Sequence, residues 1–99
     1  MKMVETTNDT NKAIAALFRT LGSPIRLKML QLLAERDYCA CEFPSLLHIS
    51  QPLSSRNLAI LKVAGLISST PEGQFNIYHL KNKNIMDLIR VTEDVLEVV

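Results

Sequence analysis

The sequence lacks most features that mark secreted, membrane-spanning or multidomain proteins. Its 99 residues include two cysteines, three glycines, no tryptophan and no long apolar run. Two cysteines separated by one residue do not make the disulfide framework of a small secreted domain. A chain without a run of about 20 apolar residues has no transmembrane helix, and no signal peptide is recognisable. We therefore expect one small cytoplasmic domain without a membrane partner.

An excess of charge of one sign is also missing, because 11 basic residues face 10 acidic ones and leave a formal net charge of +1. Near-neutrality argues against indiscriminate coating of nucleic acid. The charges are unevenly distributed, however, since residues 43–71 contain Arg56 and Lys62 but no acidic residue. This acid-free segment predicts a surface that meets phosphate groups. No acid/base pair, activated nucleophile or phosphate-binding loop is apparent, so we expect no enzymatic activity and no obligatory cofactor.

The apolar spacing and the start signals predict several helices. Residues 1–9 are polar and predict a flexible tail, and residues 10–99 form the predicted domain. A first helix ends before Gly22, and Ser23-Pro24 begins a second, central helix that runs to about Arg36. A short third helix is expected from Pro44 to His48, with Phe43 held in extended geometry by the proline that follows it.

Ser50-Gln51-Pro52 repeats the start signal and predicts a helix to Lys62 or Ala64. Two β-rich runs follow, residues 66–70 and 75–80, joined by a turn at residues 71–74. A last helix completes the order of helix, helix, short helix, helix, hairpin, helix. This order predicts a mainly α fold with a small β-hairpin, in which a helix-turn-helix carries an adjoining wing.

Five segments together resemble the ArsR/SmtB family of bacterial and archaeal repressors. They are LGSPIRLKMLQLL at residues 21–33, CACE at 39–42, ISQPLSSRNLAILK at 49–62, AGLI at 64–67 and IYHL at 77–80. The resemblance covers residues 13–97. It implies a dimeric winged helix-turn-helix protein that occupies an operator until an inducer, often a metal or metalloid, weakens its binding.

Polar side chains early in the predicted fourth helix are the candidates for reading bases in the major groove. Asn and Gln pair with adenine, Arg pairs with guanine, and Ser bonds to bases or phosphates. The alternative interpretation is an ordinary solvated helix face. We assign DNA contact to Gln51, Ser54, Ser55, Arg56, Asn57 and Lys62, and, in a wing that positions more than it specifies, to Gln74 and Asn76.

Two of these positions depart from the family pattern. Ser54 stands where the family usually has an inward aliphatic residue, so either the helix is slightly rotated or the serine hydroxyl bonds to a backbone carbonyl. Asn57 stands where a histidine is frequent. Arg26 and Lys28 match basic positions of the family, where contact with phosphates and ion pairing on the helix surface are both open.

The cysteine pair Cys39-x-Cys41 is the candidate inducer site. Thiolates favour thiophilic ions such as As(III), Cd(II) or Pb(II), and the resemblance implies such ligands because arsenic- and cadmium-responsive members carry a Cys-x-Cys here. Pro44 favours an extended lead-in, in which both side chains point the same way. The proline also replaces the third cysteine of many arsenic-sensing members. Two alternatives stay open, namely a redox pair that oxidises to a disulfide and two small residues without a role.

The first and last helices carry more apolar residues than a lone small domain needs, and we expect them to form a homodimer interface. The stripes comprise Ile14, Leu17, Phe18 and Leu21 in the first helix and Ile85, Leu88, Thr92, Val95, Leu96 and Val99 in the last. The predicted function is a DNA-binding repressor released from its operator by a thiophilic ion. The alternatives are a redox-responsive repressor and a winged-helix module that binds proteins.

Overall fold

A computed structural model describes residues 8–97, which form a mainly helical fold with one small sheet. The helices are α1 (Asn8–Leu21), α2 (Pro24–Glu35), α3 (Phe43–Leu47), α4 (Gln51–Val63) and α5 (Asn84–Leu96), and the strands are β1 (Tyr38–Cys39), β2 (Ile67–Glu72) and β3 (Phe75–Leu80). Helix α1 begins two residues before the predicted domain boundary. The rest of the predicted tail, residues 1–7, and Val99 lie outside the described residues. No described helix has the length and apolar character needed to cross a membrane.

Both serine–proline start signals form the helix N-termini that the sequence predicts. The Ser23 hydroxyl accepts a hydrogen bond from the Arg26 backbone N–H at 3.3 Å, and the Ser50 hydroxyl accepts one from the Leu53 N–H, also at 3.3 Å. A proline lies in the first turn of both α2 and α4, where its missing N–H leaves no donor unpaired. These local interactions therefore determine where the central helix α2 and the recognition helix α4 begin.

The sheet has three antiparallel strands in the order β1-β3-β2. The predicted hairpin is present, but its turn contains only Gly73 and Gln74, because the strands pair as far as Glu72 and Phe75. Gly73 has a φ of +64°, which favours glycine. Strand β1 was not predicted, and it pairs Tyr38 with Tyr78 and Cys39 with Ile77. A strand of two residues has no alternation that a sequence pattern could reveal.

The core lies between α2, the helix-turn-helix and the sheet. Helix α2 is central, as predicted, and its Met29 and Leu30 are fully buried. Phe43 from α3 and the predicted inward residues Leu58 and Leu61 of α4 pack into the same cluster. The turn between α3 and α4 passes through a left-handed residue at 48. The core thus holds the two helices of the motif together, while α1 contributes no buried residue.

Candidate DNA interface and cysteine cleft

Helix α4 is the recognition helix of the helix-turn-helix, and its solvent side carries three of the predicted DNA-contacting residues. Gln51, Ser55 and Arg56 are exposed in its first two turns. This surface contains hydrogen-bond donors, acceptors and one positive charge, and no carboxylate interrupts it.

Ser54 and Asn57, which the sequence assigned to DNA contact, face the interior, so the structure does not place them on the exposed side of α4 with the other candidates. Ser54 is 1% exposed and Asn57 is 5% exposed. Both lie on the side of α4 that also buries Leu58 and Leu61, at the i, i+3, i+4, i+7 spacing of a core-facing stripe. Of the two alternatives for Ser54, the bond from its hydroxyl to a backbone carbonyl is not found, because among the described residues this buried hydroxyl has no hydrogen-bond partner.

The basic residues near α4 differ in whether their side chains already form hydrogen bonds within the protein. Lys62 is exposed, and its Nζ donates to the Ser69 hydroxyl of β2 at 2.7 Å. Arg26 forms no ion pair with an acidic residue among those described. Its guanidinium group instead donates hydrogen bonds to α1 and to Asn57. Lys28 is exposed. Arg56, Lys28 and the two remaining donors of the Lys62 ammonium group are therefore available for phosphate, whereas Arg26 is already occupied.

The wing tip, the recognition helix and the cysteine pair share one cleft of about 360 Å³. Its lining includes Cys39 and Cys41, Gln51 at the start of α4, and Gln74 and Asn76 of the wing. The half-exposed ring of Phe75 also lies there. The cysteine pair, the start of the recognition helix and the wing, which are separate in the sequence, thus lie around a single opening.

The two cysteines meet in a way that differs from the predicted extended lead-in. Cys39 is extended, with φ −67° and ψ 141°, but Cys41 lies in a 3₁₀ turn and Phe43 is helical, with φ −65° and ψ −41°. Phe43 begins α3, and helix formation there overrides the preference imposed by Pro44. An extended residue followed by a tight turn brings the two Cα atoms to 5.1 Å, and the sulfur atoms are joined as a disulfide.

A hydrogen-bond network that the sequence reasoning missed holds this turn in place. The Glu42 carboxylate accepts from the Cys39 N–H at 2.8 Å and from the Arg36 guanidinium at 3.0 Å. The Cys39 sulfur accepts from the Cys41 N–H at 3.2 Å, which completes a capping box with cysteine in the usual serine position. The spacing Cys39-x-x-Glu42 is the sequence pattern from which this capping box could have been predicted. Arg36 also lies 3.7 Å above the ring centroid of Tyr38.

The electrostatics of this network favour the ionised form of Glu42. The hydrogen bond from Arg36 is the main cause that lowers the pKa of Glu42, and the Cys39 N–H lowers it further. Within residues 8–97, no cluster of three or more His, Cys, Asp or Glu side chains could hold a metal ion. The cysteine pair therefore supplies two ligands at most from the described part of one chain.

The structure combines the short α3, a turn, the exposed polar face of α4 and the attached hairpin. This combination defines a winged helix-turn-helix DNA-binding regulator, a class of protein without enzymatic activity. Residues 23–69 match the model of a family described as bacterial regulatory protein, arsR family. The chain belongs to this family of transcriptional regulators.

Known relatives support this assignment. The chain is 35% identical to an uncharacterized HTH-type transcriptional regulator of Methanocaldococcus jannaschii over 81% of this chain and 91% of that protein. It is 32% identical to the transcriptional repressor SmtB of Mycobacterium tuberculosis over 78% of this chain and 57% of that protein. It is also 38% identical to the arsenic resistance transcriptional regulator ArsR1 of Pseudomonas putida, over 65% of this chain and 51% of that protein.

A solved structure shows the same fold. The solution structure of a homodimeric winged helix-turn-helix DNA-binding domain from Mycobacterium bovis matches with a TM-score of 0.80 at 21% identity, covering 98% of this chain and 90% of that one. This match confirms the predicted fold class.

Proposed function

We propose that this regulator binds operator DNA as a homodimer and is released when a thiophilic ion such as As(III) binds Cys39 and Cys41. The observation that carries the proposal is the shared cleft, in which the cysteines, the start of α4 and the wing tip lie together. Any ligand at the sulfur atoms would occupy space beside Gln51 and Asn76, both of which we assign to DNA contact. Inducer and operator would then compete for the same part of the molecule.

Two properties support DNA as the partner. Residues 43–71 contain no acidic residue, and this segment includes all of α3 and α4. Arg56 lies on the exposed face of α4 and forms no ion pair among the described residues, and an arginine at that place suits guanine or phosphate. We assign base contact to Gln51, Ser55 and Arg56, phosphate contact to Lys62, and contact from the wing to Gln74 and Asn76.

Removal of Arg56 tests the DNA contact. Arg56→Ala should weaken binding to DNA selected by the wild-type protein from a random pool by about tenfold or more, because a bidentate arginine contributes about 1–3 kcal/mol. Arg90→Ala is the matched control, since it removes an exposed arginine that pairs with Asp87 on α5. Equal affinities for the wild type and Arg56→Ala would favour a protein-binding module instead.

The path from the cysteines to the DNA-binding elements is short. Cys39 belongs to β1, which pairs with the wing strand β3 opposite Ile77. Cys41 lies in the 3₁₀ turn that leads directly into α3. An ion that fixes the two sulfur atoms in new positions would shift the wing relative to the helix-turn-helix. With two protein thiolates, the remaining ligand of As(III) would be a water, a small thiol or a group of the partner subunit.

Arsenite titration of the protein–DNA complex tests the inducer. The reduced wild-type protein should lose DNA when As(III) is added, whereas Cys39→Ser/Cys41→Ser should keep it. A phosphine should serve as the reductant, because a dithiol would itself bind arsenite. Single Cys→Ser variants are the matched controls and should need much more As(III) for release. Release of the double variant at the same As(III) concentration would contradict the proposal.

A redox switch is the second candidate, and the disulfide between Cys39 and Cys41 favours it. In this case two thiols would lose two protons and two electrons to hydrogen peroxide, which is reduced to two water molecules as the S–S bond forms. Peroxide should then release DNA reversibly, with recovery on addition of a thiol, while As(III) has no effect on the complex. Insensitivity of the wild type to both agents would exclude both switches.

The homodimer is supported by the apolar faces of α1 and α5. Phe18 is 54% exposed and Val95 is 76% exposed, and a cavity of about 350 Å³ between α1, α2 and α5 has Leu88 and Leu96 in its wall. Large exposed apolar side chains clustered on two helices are typical of an interface. Pairing through these helices would place two recognition helices about 34 Å apart, which suits successive major grooves of a palindrome.

A further inference from the structure

Arg26, at the start of α2, connects three helices through one guanidinium group. Its Nε donates to the Thr20 carbonyl at 2.6 Å, and its Nη2 donates to the Arg19 carbonyl at 3.2 Å. Its Nη1 donates to Oδ1 of Asn57, in the middle of α4, at 2.8 Å. Arg26 thus bonds to the end of α1 and to the recognition helix at the same time.

The bonds to α1 satisfy a general need of helix ends. The last four carbonyl groups of a helix have no partner within the helix, and a positive charge there is favourable. Arg19 and Thr20 lie in the last turn of α1, which ends at Leu21. Because Arg26 itself lies in the first turn of α2, it ties the end of one helix to the beginning of the next.

The bond to Asn57 fixes the recognition helix in the same network. Asn57 is 5% exposed, and while its Oδ1 accepts from Arg26, its Nδ2 donates to the Leu53 carbonyl at 2.9 Å. Both ends of the side-chain amide are therefore used, which leaves it one orientation. Since Ser55 and Arg56 lie on the same two turns, any rotation of α4 that moves Asn57 also moves the exposed DNA-facing side chains.

The hydrogen bonds of Arg26 matter for the position of α4 because direct packing between α1 and α4 is incomplete. An open groove of about 660 Å³ lies between the two helices, with Ala13 and Ala16 on one wall and Ala59 and Val63 on the other. Small side chains leave the helices apart at this place. The Arg26–Asn57 bond spans the junction from the α2 side.

We propose that Arg26 and Asn57 are positioning residues that fix α4 relative to α1, and that they thereby set the half-site spacing the homodimer accepts. The inference rests on the proposed function, because it assumes that α1 lies in the dimer interface and α4 in the major groove. With α1 held by the partner subunit, the Arg26–Asn57 bond transmits the dimer geometry to the recognition helix. Loss of the bond lets each α4 adapt independently to its own half-site.

A series of operators with altered half-site spacing tests this proposal. The starting DNA is the palindrome that the wild-type protein selects from a random pool, and the series inserts or deletes one or two base pairs at its centre. One base pair rotates a half-site by about 34° and moves it by about 3.4 Å relative to the other. The measured quantity is the ratio of affinities between the best spacing and its neighbours, at a fixed salt concentration.

The wild type should prefer its best spacing over a one-base-pair change by about tenfold or more, which is about 1.4 kcal/mol. Asn57→Leu fills the same buried volume without the acceptor, and its ratio should fall to about threefold or less. Arg26→Lys keeps the charge but cannot reach two partners with a planar fork, and it should lower the ratio similarly. Asn57→Asp keeps the acceptor for Arg26, although it loses the donor to the Leu53 carbonyl, and it should retain more of the preference than Asn57→Leu. Glu35→Gln removes an exposed charge at the far end of α2 and should leave the ratio unchanged.

Three results would overturn the proposal. An unchanged spacing ratio in both Asn57→Leu and Arg26→Lys, with only a lower melting temperature, would reduce the bond to a role in stability. A fall of about 0.9 in the slope of log affinity against log salt concentration in Arg26→Gln, with an unchanged spacing ratio, would make Arg26 a phosphate contact. Failure of the wild type to select any DNA would overturn the proposed function itself and this inference with it.

Discussion

The two longest helices outside the N-terminal one, α4 and α5, have 13 residues each but relate to the core in opposite ways. Helix α4 buries Ser54, Asn57, Leu58 and Leu61, whereas α5 buries only Ile85. Other apolar residues of the two terminal helices are exposed, namely Val91, Val95 and Leu96 of α5 and Ile14 and Phe18 of α1. The part of the molecule that we assign to DNA is therefore held in place by its own chain, while the part that we assign to dimerisation needs a second copy to bury its apolar face.

The largest expected effect comes from breaking the α1–α5 side. Phe18→Glu should give a monomer at micromolar concentration, because a charge in the centre of an apolar interface remains unpaired. Operator affinity should fall by about 100-fold or more, since binding through two linked modules gains about that factor. Sedimentation equilibrium and DNA titration measure both quantities.

Leu46→Glu is the matched control for oligomeric state, because Leu46 is 47% exposed and lies on α3, outside the two helices that we assign to the interface. It should leave the dimer intact. A dimeric Phe18→Glu protein, or a monomeric wild type, would show that the exposed apolar faces of the two terminal helices are not the interface.

A smaller effect separates the two sides of α4. Ser54→Ala removes a buried hydroxyl that lacks a described partner, so the free energy of unfolding should rise by about 1 kcal/mol, with DNA affinity within about twofold of the wild type. Ser55→Ala, on the exposed side, should change stability by less than about 0.5 kcal/mol but weaken DNA binding. Urea denaturation and DNA titration measure the pair. Loss of stability in Ser54→Ala would mean that the hydroxyl has a partner.

The smallest expected effect concerns the capping box next to the cysteines and depends on pH. Because the folded protein lowers the pKa of Glu42, this carboxylate stabilises the fold above its unfolded pKa of about 4.3, and the contribution is lost as the pH falls through the lower folded value. The stability difference between the wild type and Glu42→Gln should therefore shrink between about pH 6 and pH 3.

Urea denaturation of reduced protein at each pH measures this difference. Arg36→Gln removes the main cause of the shift and should weaken the same pH dependence. A wild-type advantage over Glu42→Gln that is constant across this range would contradict the ion pair and capping box as its source.

Much of the fold was predictable because its helices begin and end at residues with local chemistry. Serine caps with a following proline at α2 and α4, and Gly65 with a φ of +79° after α4, act within a few residues and can be read from the sequence. The hairpin was predictable for the same reason, since Gly73 makes its turn. Strand β1 was not, because its two residues pair with a strand about 40 positions later.

The candidate site was predictable in composition but not in orientation. The polar character of Ser54 and Asn57 suggested solvent, although their spacing from Leu58 and Leu61 placed them on the core side. The helical spacing was thus the better guide than residue polarity at these two positions. The cleft shared by the cysteines and the wing tip could not be predicted, because it depends on the pairing of β1 with β3.

The short strand β1 has a consequence for solubility. An exposed sheet edge can pair with another chain and begin aggregation. In this sheet β3 is central, β1 covers part of one edge with only two residues, and β2 at the other edge contains Pro71, which has no backbone N–H to donate. In this regulator, which exposes apolar helices for self-association, the proline in β2 thus interrupts the sheet edge on which fibrils could grow.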